Sequence, residues 1–544
     1  MKKITLFASL FILCNVVFAG GVLTNYNQSA QYVRMMSRNA SLEIDGVFYN
    51  PAGLTKLENG WHFALNSQTI FQDKTIESDF PLLNDGNYKG TTLVPVFPSV
   101  YGAYKIDKWA FSFGFGPTSG GGAAEFKRGL PAFEIPISQA RTLLSQLGVT
   151  GYDVDIYFKG SSVYWGIQLG ATYEINEQLS VYGGVRYLPS KNVYQGHIKD
   201  IQFQVAGLGN VPASAFLTGA SADLQKLANM PQTLNPFLAA GGSYTLAQLQ
   251  GAGMLDATNR AGIEKGLQLM GLPQAQIDAM NLNQINGAYV AASPTFQGQA
   301  NQLSATAGKM GDRVVDTEQT GQSFIPVLGV NYSPNDDWNF AFKWEMKTFL
   351  TLDNKPNPET NNYDLWGSKV NSDVPGIITA GIGYRGLKWL EAQLSYNMYM
   401  DKKVGWGTNT NDYAIWGDVD NTKIRQREID NNYYELGLGL QFNLAENFAV
   451  SVGGLRSKTG VADSWQNDLS FSNTSHTFGG GIMWKITDKL TLDLGVSNTF
   501  YQDDKVTFNY PGQPDLSGKP ITSYSNNYGK TTLDIAAGLT YSIF

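Results

Sequence analysis

The sequence predicts an all-β fold: a 14-stranded antiparallel transmembrane β-barrel with an N-terminal hatch inside the lumen and one long, partly helical extracellular loop. Three observations lead there. The chain opens with a secretory leader, it has no later apolar run long enough for a membrane helix, and a turn bracketed by aromatic residues recurs six times between segments of alternating polarity.

In the leader, Lys2 and Lys3 form a positive start, Ile4 to Val17 is apolar, and Val17-Phe18-Ala19 is a cleavage signal. Residues 1–19 are therefore expected to be removed, leaving a mature chain that begins at Gly20. Cys14 is the only cysteine and is lost with the leader, which excludes disulfides, thiolate metal sites and cysteine nucleophiles. Leu13 before Cys14 argues against a lipid anchor. Without Lys2 and Lys3 the formal charge of -7 becomes -9, so the chain has no basic footprint for nucleic acid. No stretch after the leader approaches the ~18 apolar residues of a membrane helix. The 59 Gly, 28 Tyr, 29 Phe and 11 Trp, with only 16% charged residues, instead suit a barrel with aromatic girdles.

The six turns are Tyr104 to Trp109, Tyr173 to Leu179, Tyr332 to Trp338, Tyr384 to Trp389, Phe442 to Phe448 and Trp484 to Leu490. Short turns flanked by aromatics belong at the periplasmic side of a barrel. Each joins segments of period two: Trp338, Phe340, Phe342, Trp344 and Met346 alternate with Asn339, Ala341, Lys343, Glu345 and Lys347. Six turns pair twelve strands, and segments at each end make fourteen. The expected strands are 60–72, 93–105, 108–117, 161–175, 178–199, 322–333, 337–352, 376–385, 388–403, 431–443, 446–457, 473–486, 489–506 and 529–544. Both ends of the mature chain then lie in the periplasm.

Two segments depart from a plain barrel. Residues 20–59 are too polar to span a membrane and contain Val47-Phe48-Tyr49 followed by Asn50-Pro51-Ala52-Gly53, a proline-fixed turn that suggests packed structure, a plug. The connection 201–321 is far longer than an ordinary loop. Within it, Ser221 to Ala228, Thr245 to Leu249, Ile263 to Met270 and Pro273 to Met280 have helical composition. Its methionines, Met270 and Met280 among them, fit either a surface that accepts varied apolar shapes or a small helical core.

The plug segment Ser37 to Leu54 ending in Asn50-Pro51-Ala52, the block from Val94-Pro95 through Phe115-Gly116-Pro117 to Ala124-Glu125-Phe126, and Val374-Pro375 together resemble the long-chain fatty-acid transporter (FadL) family of outer-membrane proteins. That resemblance implies a monomeric barrel with a luminal hatch and a helical third loop that captures a hydrophobic ligand. It further implies an inner pocket and a lateral exit at a kink in the third strand, here Gly114, Gly116 and Pro117. The family's basic positions on strands five and nine fall near Ser190 and Val404. Their basic neighbours Arg186, Lys191 and Lys402, with Lys343 placed inward by alternation, are the candidate ligand-facing cations. Glu174, Glu345, Glu391 and Glu435 share that inward face, so a solvated mixed-charge lumen is the simpler expectation.

The implied partners are outer-membrane lipid, a hydrophobic small molecule and the barrel-insertion machinery, which reads terminal residues such as Leu539, Tyr541, Ile543 and Phe544. His62, His197 and His476 form no Ser/His/acid pattern, so the chain is expected to be no enzyme. Asp418-Val419-Asp420-Asn421, in the acidic loop Asp412 to Asp430, matches no defined calcium spacing, and neither metal nor cofactor is expected. The alternative functions are a general diffusion porin, disfavoured by the plug, and a surface adhesin or phage receptor working through its long loops.

Overall fold

The computed structural model describes residues 24–357, 369–404, 406–408, 429–463, 466–510 and 512–543. The leader with its cleavage site, residues 20–23 of the plug, most of the acidic loop with Asp418 and Asp420, and Phe544 lie outside the described residues.

Fourteen strands close into one antiparallel barrel. They are β1 (Gly60–Ser78), β2 (Asn87–Ile106), β3 (Trp109–Phe126), β4 (Val149–Asn176), β5 (Leu179–Val205), β6 (Arg313–Tyr332), β7 (Trp338–Glu345, resuming at Thr351–Pro356), β8 (Lys369–Ser372 and Ile377–Leu387), β9 (Leu390–Tyr399 and Trp406–Thr408), β10 (Tyr433–Ala445), β11 (Phe448–Lys458), β12 (Ser475–Thr487), β13 (Leu490–Tyr501 and Asp504–Asn509) and β14 (Ser523–Ile543). Neighbours in sequence are neighbours in the sheet, and Trp61 of β1 closes the ring by facing both Tyr104 of β2 and Ile543 of β14.

Alternation decides which side chains meet which solvent. On β3, Trp109, Phe111 and Phe113 face out while Ala110 and Ser112 are buried inside; Phe340, Phe342 and Trp344 do the same on β7. A continuous apolar belt of this size would drive aggregation in water and is matched by hydrocarbon.

All six short turns lie at one end, beside the start of β1 and the end of β14. Local chemistry makes them tight: Asn176, Asn335 and Thr487 each accept two backbone N–H groups across their turn, and Asp107 takes the left-handed backbone that a two-residue turn needs (φ 48°). Aromatic pairs ring this end, as in Trp61 with Tyr104 and Trp109 with Tyr173, both 4.6 Å between centroids.

At the long-loop end the strands outrun the expected limits. β4 is 28 residues and β5 27, whereas about 9–11 suffice to cross a bilayer. The alternation sought in the sequence ends where lipid ends, but strand pairing does not. β7 is not the continuous strand expected over 337–352, since it breaks after Glu345, and β8 breaks before Pro375, which has no N–H to donate.

The helical excursion is correspondingly shorter than 201–321, beginning after Val205 and ending before Arg313. It holds six helices, Ala213–Ala228, Met230–Gly241, Leu246–Gly251, Ala257–Leu269, Gln274–Ala279 and Leu282–Lys309, around a core of its own that includes Leu267, Ile277, Ile285 and Tyr289. The four helical stretches read from composition overlap four of these. The second helix and the 28-residue last one, which contains Pro294, were not expected.

Candidate functional site

The hatch fills the lower bore. Its helix α1 (Ala30–Met35) starts at Ser29, whose hydroxyl accepts from Tyr32 N–H at 3.0 Å, and ends at Met36 in the left-handed region. A second turn of helix, α2 (Gly46–Tyr49), leads into the 3-10 turn Pro51–Lys56. Rings of Tyr26, Tyr32, Phe48 and Tyr49 pack together, with Tyr32 stacked on Tyr49 at 5.4 Å. Arg38, fully buried, grips Asp45 through Nε (2.7 Å) and Nη2 (2.8 Å) and also reaches Ser41 and Glu43.

Asn50-Pro51-Ala52-Gly53 seats this unit on the wall. Asn50 donates to Ser41 O and to Asn331 Oδ1; Pro51 O accepts from Thr172 and Ala52 O from Ser180. A Cβ on Gly53 would collide with the Asn50 amide and lie 2.9 Å from Ser41 O, so only glycine fits. On the opposite wall, the end of α1 lies so close to the strands that a side chain at Gly453 would strike Met35 O. Glycine is concentrated where the wall must be bare.

Three buried cations bind hatch to barrel. Arg186 of β5 holds Glu345 of β7 in two bonds of 2.6 and 3.1 Å. Lys343 donates to Glu345 (2.8 Å) and to Phe48 O of the hatch (2.7 Å), and both cations lie over the Phe48 ring. Gln168 links Arg186 to Val47 O. Across the bore, Arg34 donates to Asp493 (2.8 Å), Gln441 (2.6 Å) and Ser451.

Above the hatch lies a cavity of about 510 Å³. Its floor is Asn25, Tyr26, Asn27, Tyr32 and Met36, and Leu469 to Asn473 line its upper part. Its two sides differ. Ile70, Val94, Phe97 and Phe126 make an apolar patch on β1 to β3, with Gln72, Lys74, Thr92 and Ser119 beside it, and hydroxyls such as Ser457, Thr477, Ser497 and Thr532 make a polar side on β11 to β14.

The apolar side contains a break in the wall. β2 and β3 pair from Ile106 opposite Trp109 as far as Val100 opposite Phe115, then not again until Thr91 opposite Glu125. Pro95 and Pro98 on one strand and Pro117 on the other cannot donate across it. β3 there bulges twice against β4, with Gly120 and Gly121 at positive φ (66° and 111°). The chain preceding α1 takes up the freed carbonyls: Asn25 N–H donates to Thr118 O (2.8 Å), and Gln28 Nε2 to Pro117 O (2.9 Å). Side chains fill what backbone leaves open. A Cβ on Gly122 would stand 2.7 Å from Val94 Cγ2. A second void, about 10 Å³, lies at the foot of the break beside Phe48, Gly116 and Arg186.

The residues singled out in the sequence therefore fall in different places. Arg186 and Lys343 come together, but on Glu345 and the hatch. Lys191 points outward and pairs with Glu318 at 2.6 Å, and Lys402 is exposed on a short turn, so neither lines the cavity. Met270 and Met280 pack partly buried against the helical excursion's own core, away from the lumen. Gly114 still pairs with Tyr101 below the break, whereas Gly116 and Pro117 stand at its lower edge. His197 bonds Asp155, His62 bonds Ser542, and His476 faces out. The sequence reading missed the Arg34–Asp493 pair, Pro98 of β2 and the part Pro95 plays in the break, and Lys74 and Lys530 in the cavity wall. Alternation alone, carried past residue 72, would have turned Lys74 inward.

No protein-family model matches the chain, and no curated protein sequence matches it. Solved structures do. A Pseudomonas aeruginosa FadL homologue superposes with a TM-score of 0.56 at 10% identity, covering 97% of this chain and 100% of that one. The Pseudomonas putida toluene transporter TodX gives 0.50 at 11% identity, covering 96% and 100%. A TodX deletion mutant described as a monoaromatic hydrocarbon channel gives 0.52 at 10%, again over 96% and 100%. By strand number, luminal hatch and whole-chain superposition, this chain has the fold of the FadL-type barrels.

Proposed function

We propose that the chain is a monomeric outer-membrane channel for the uptake of hydrophobic compounds, long-chain fatty acids or similar lipids and hydrocarbons, into a Gram-negative cell. The ligand enters at the long-loop end, rests in the cavity above the hatch, and leaves sideways between β2 and β3 into the bilayer. The observation that carries this reading is the lost pairing between Val100–Phe115 and Thr91–Glu125, on the side of the cavity that is apolar. A hydrophobic solute gains nothing from an aqueous bore and much from a door into lipid. The hatch, meanwhile, fills the axial route with buried, bonded groups. The names of the superposed neighbours, a toluene transporter and a monoaromatic hydrocarbon channel, support the same class of cargo. In this account Arg186 and Lys343 seat the hatch.

The hydroxyl-lined side of the cavity favours one competing reading, a porin for small polar solutes. Uptake by cells whose outer membrane carries the chain, compared with matched cells lacking it, separates the two. Radiolabelled oleate or toluene should accumulate faster while a small sugar does not. A sugar rate that rises equally would overturn the hydrophobic reading in favour of the porin.

A further inference from the structure

Glu435 of β10 is a buried carboxylate on the cavity wall, and no cation meets it among the described residues. Around the hatch, Glu345, Asp493 and Asp45 each meet an arginine or a lysine. Glu435 meets neutral donors: Asn397 Nδ2 at 2.9 Å, the Tyr399 and Tyr433 hydroxyls at 3.0 Å each, and the Ser457 hydroxyl at 3.5 Å. These bonds hold the carboxylate in place without cancelling its charge. A tyrosine hydroxyl has one proton to give. Having given theirs to Glu435, Tyr399 and Tyr433, which also line the cavity, offer it acceptor lone pairs alone.

A second polar group there is unmatched. Tyr32 of the hatch lines the same cavity, 4% exposed, and its hydroxyl bonds to none of the described residues. The charge that acts on it most is that of Glu435. A buried hydroxyl is costly to leave without a partner. One inward step below Glu435 on β10 is Gly437, where a Cβ would stand 2.5 Å from Met36 O and 3.2 Å from Leu455 Cδ1. Met36 and Leu455 both line the cavity, so apolar surface begins one step from the carboxylate.

We propose that Glu435, with the hydroxyls of Tyr399, Tyr433 and Tyr32, forms a site for the ammonium head of an amphiphilic amine, whose apolar body lies over Met36 and Leu455. A primary ammonium brings the positive charge that Glu435 lacks and three N–H donors for the surrounding oxygens. A neutral alcohol brings one donor and no charge, and a carboxylate head is repelled. The inference rests on the uptake reading above and adds amines to its cargo.

The test compares octylammonium with octanol, of equal chain length, on the full mature protein in nanodiscs of neutral lipid, with empty discs as reference. At a pH of about 8 an alkyl amine is protonated, as lysine is. The preference of wild type for octylammonium over octanol should fall at least about tenfold in Glu435→Gln, the worth of one charge-assisted hydrogen bond. An unchanged preference overturns the cation site. Should Glu435→Gln fail to fold, Tyr32→Phe decides, because it keeps the ring and removes a hydroxyl that bonds to none of the described residues. Octylammonium binding should then weaken about threefold or more, and an affinity equal to that of wild type overturns the site. Octanol binding with no effect of either variant on octylammonium removes the cation site and spares the uptake reading. Wild type that binds neither compound removes both.

Discussion

Replacing Arg34 by alanine should make the hatch leave its seat far more often. Arg34 donates to Asp493, Gln441 and Ser451, and without it the buried Asp493 carboxylate keeps, among the described residues, the Gln31 amide at 2.8 Å as its side-chain donor. Removing one partner of a buried pair costs about 3–5 kcal/mol because the other charge is stranded. At about 1.4 kcal/mol per factor of ten, hatch openings should become roughly a hundredfold to a few thousandfold more frequent. The strand ladders are untouched, so the barrel itself should persist. Single-channel recording in planar bilayers reads this as brief openings, rare in wild type and frequent in Arg34→Ala. The double variant Arg34→Ala/Asp493→Asn should recover much of the closure, since a neutral amide strands no charge. An opening frequency within a few-fold of wild type in the folded single variant would refute the anchoring argument.

Three further outcomes are expected. Cysteines at Asn335 and Asp488, in short turns, should resist an impermeant thiol reagent on intact cells, whereas one at Ser517 in a long loop should react; the reverse pattern would invert the topology. Leu267→Ala, at the centre of the helical excursion's own core, should cost about 2–5 kcal/mol there, seen as faster proteolysis between Val205 and Arg313 with the barrel still resistant. Asp468 ties the cavity's upper loop to Ala132 N–H, Asn526 and Tyr528, and its burial pushes its carboxyl above the usual aspartate range. Its folded pKa is the higher one, so the folded loop gains stability as pH falls through that value, and the gain is complete below the unfolded pKa of about 3.9. Labelling of a cysteine at Thr499 in the lumen should therefore slow from about pH 7 to about pH 4 relative to the reagent's intrinsic rate, and Asp468→Asn should remove the slope.

What could be read in advance follows from which forces act within one strand. The six turns were legible because aromatic residues on either side of a short polar stretch mark the headgroup level. The hatch was legible in Asn50-Pro51-Ala52-Gly53, since a proline-fixed turn beside apolar residues has to pack. Pairing between strands is not written in either strand alone. Gly114, Gly116 and Pro117 pointed to β3, yet the break extends upward towards Glu125 and depends equally on Pro95 and Pro98 of β2. A one-residue step sends Lys191 outward and Ser190 inward, so a neighbour in sequence is no substitute for the position itself. Composition could not tell whether Met270 and Met280 serve a ligand or a core, and both pack against the cluster that contains Leu267 and Ile277. Lys74 escaped notice because the strand was ended where its apolar face ends.

The central claim is that cargo leaves through the wall between β2 and β3, and a disulfide across the break tests it most directly. Val94 and Gly122 face one another there, so Val94→Cys/Gly122→Cys should join under oxidation. The account predicts that the oxidised protein stops taking up oleate or toluene, that dithiothreitol restores uptake, and that bilayer ion conductance is the same in both states. Undiminished uptake by the fully crosslinked protein would contradict it and place the exit through the hatch.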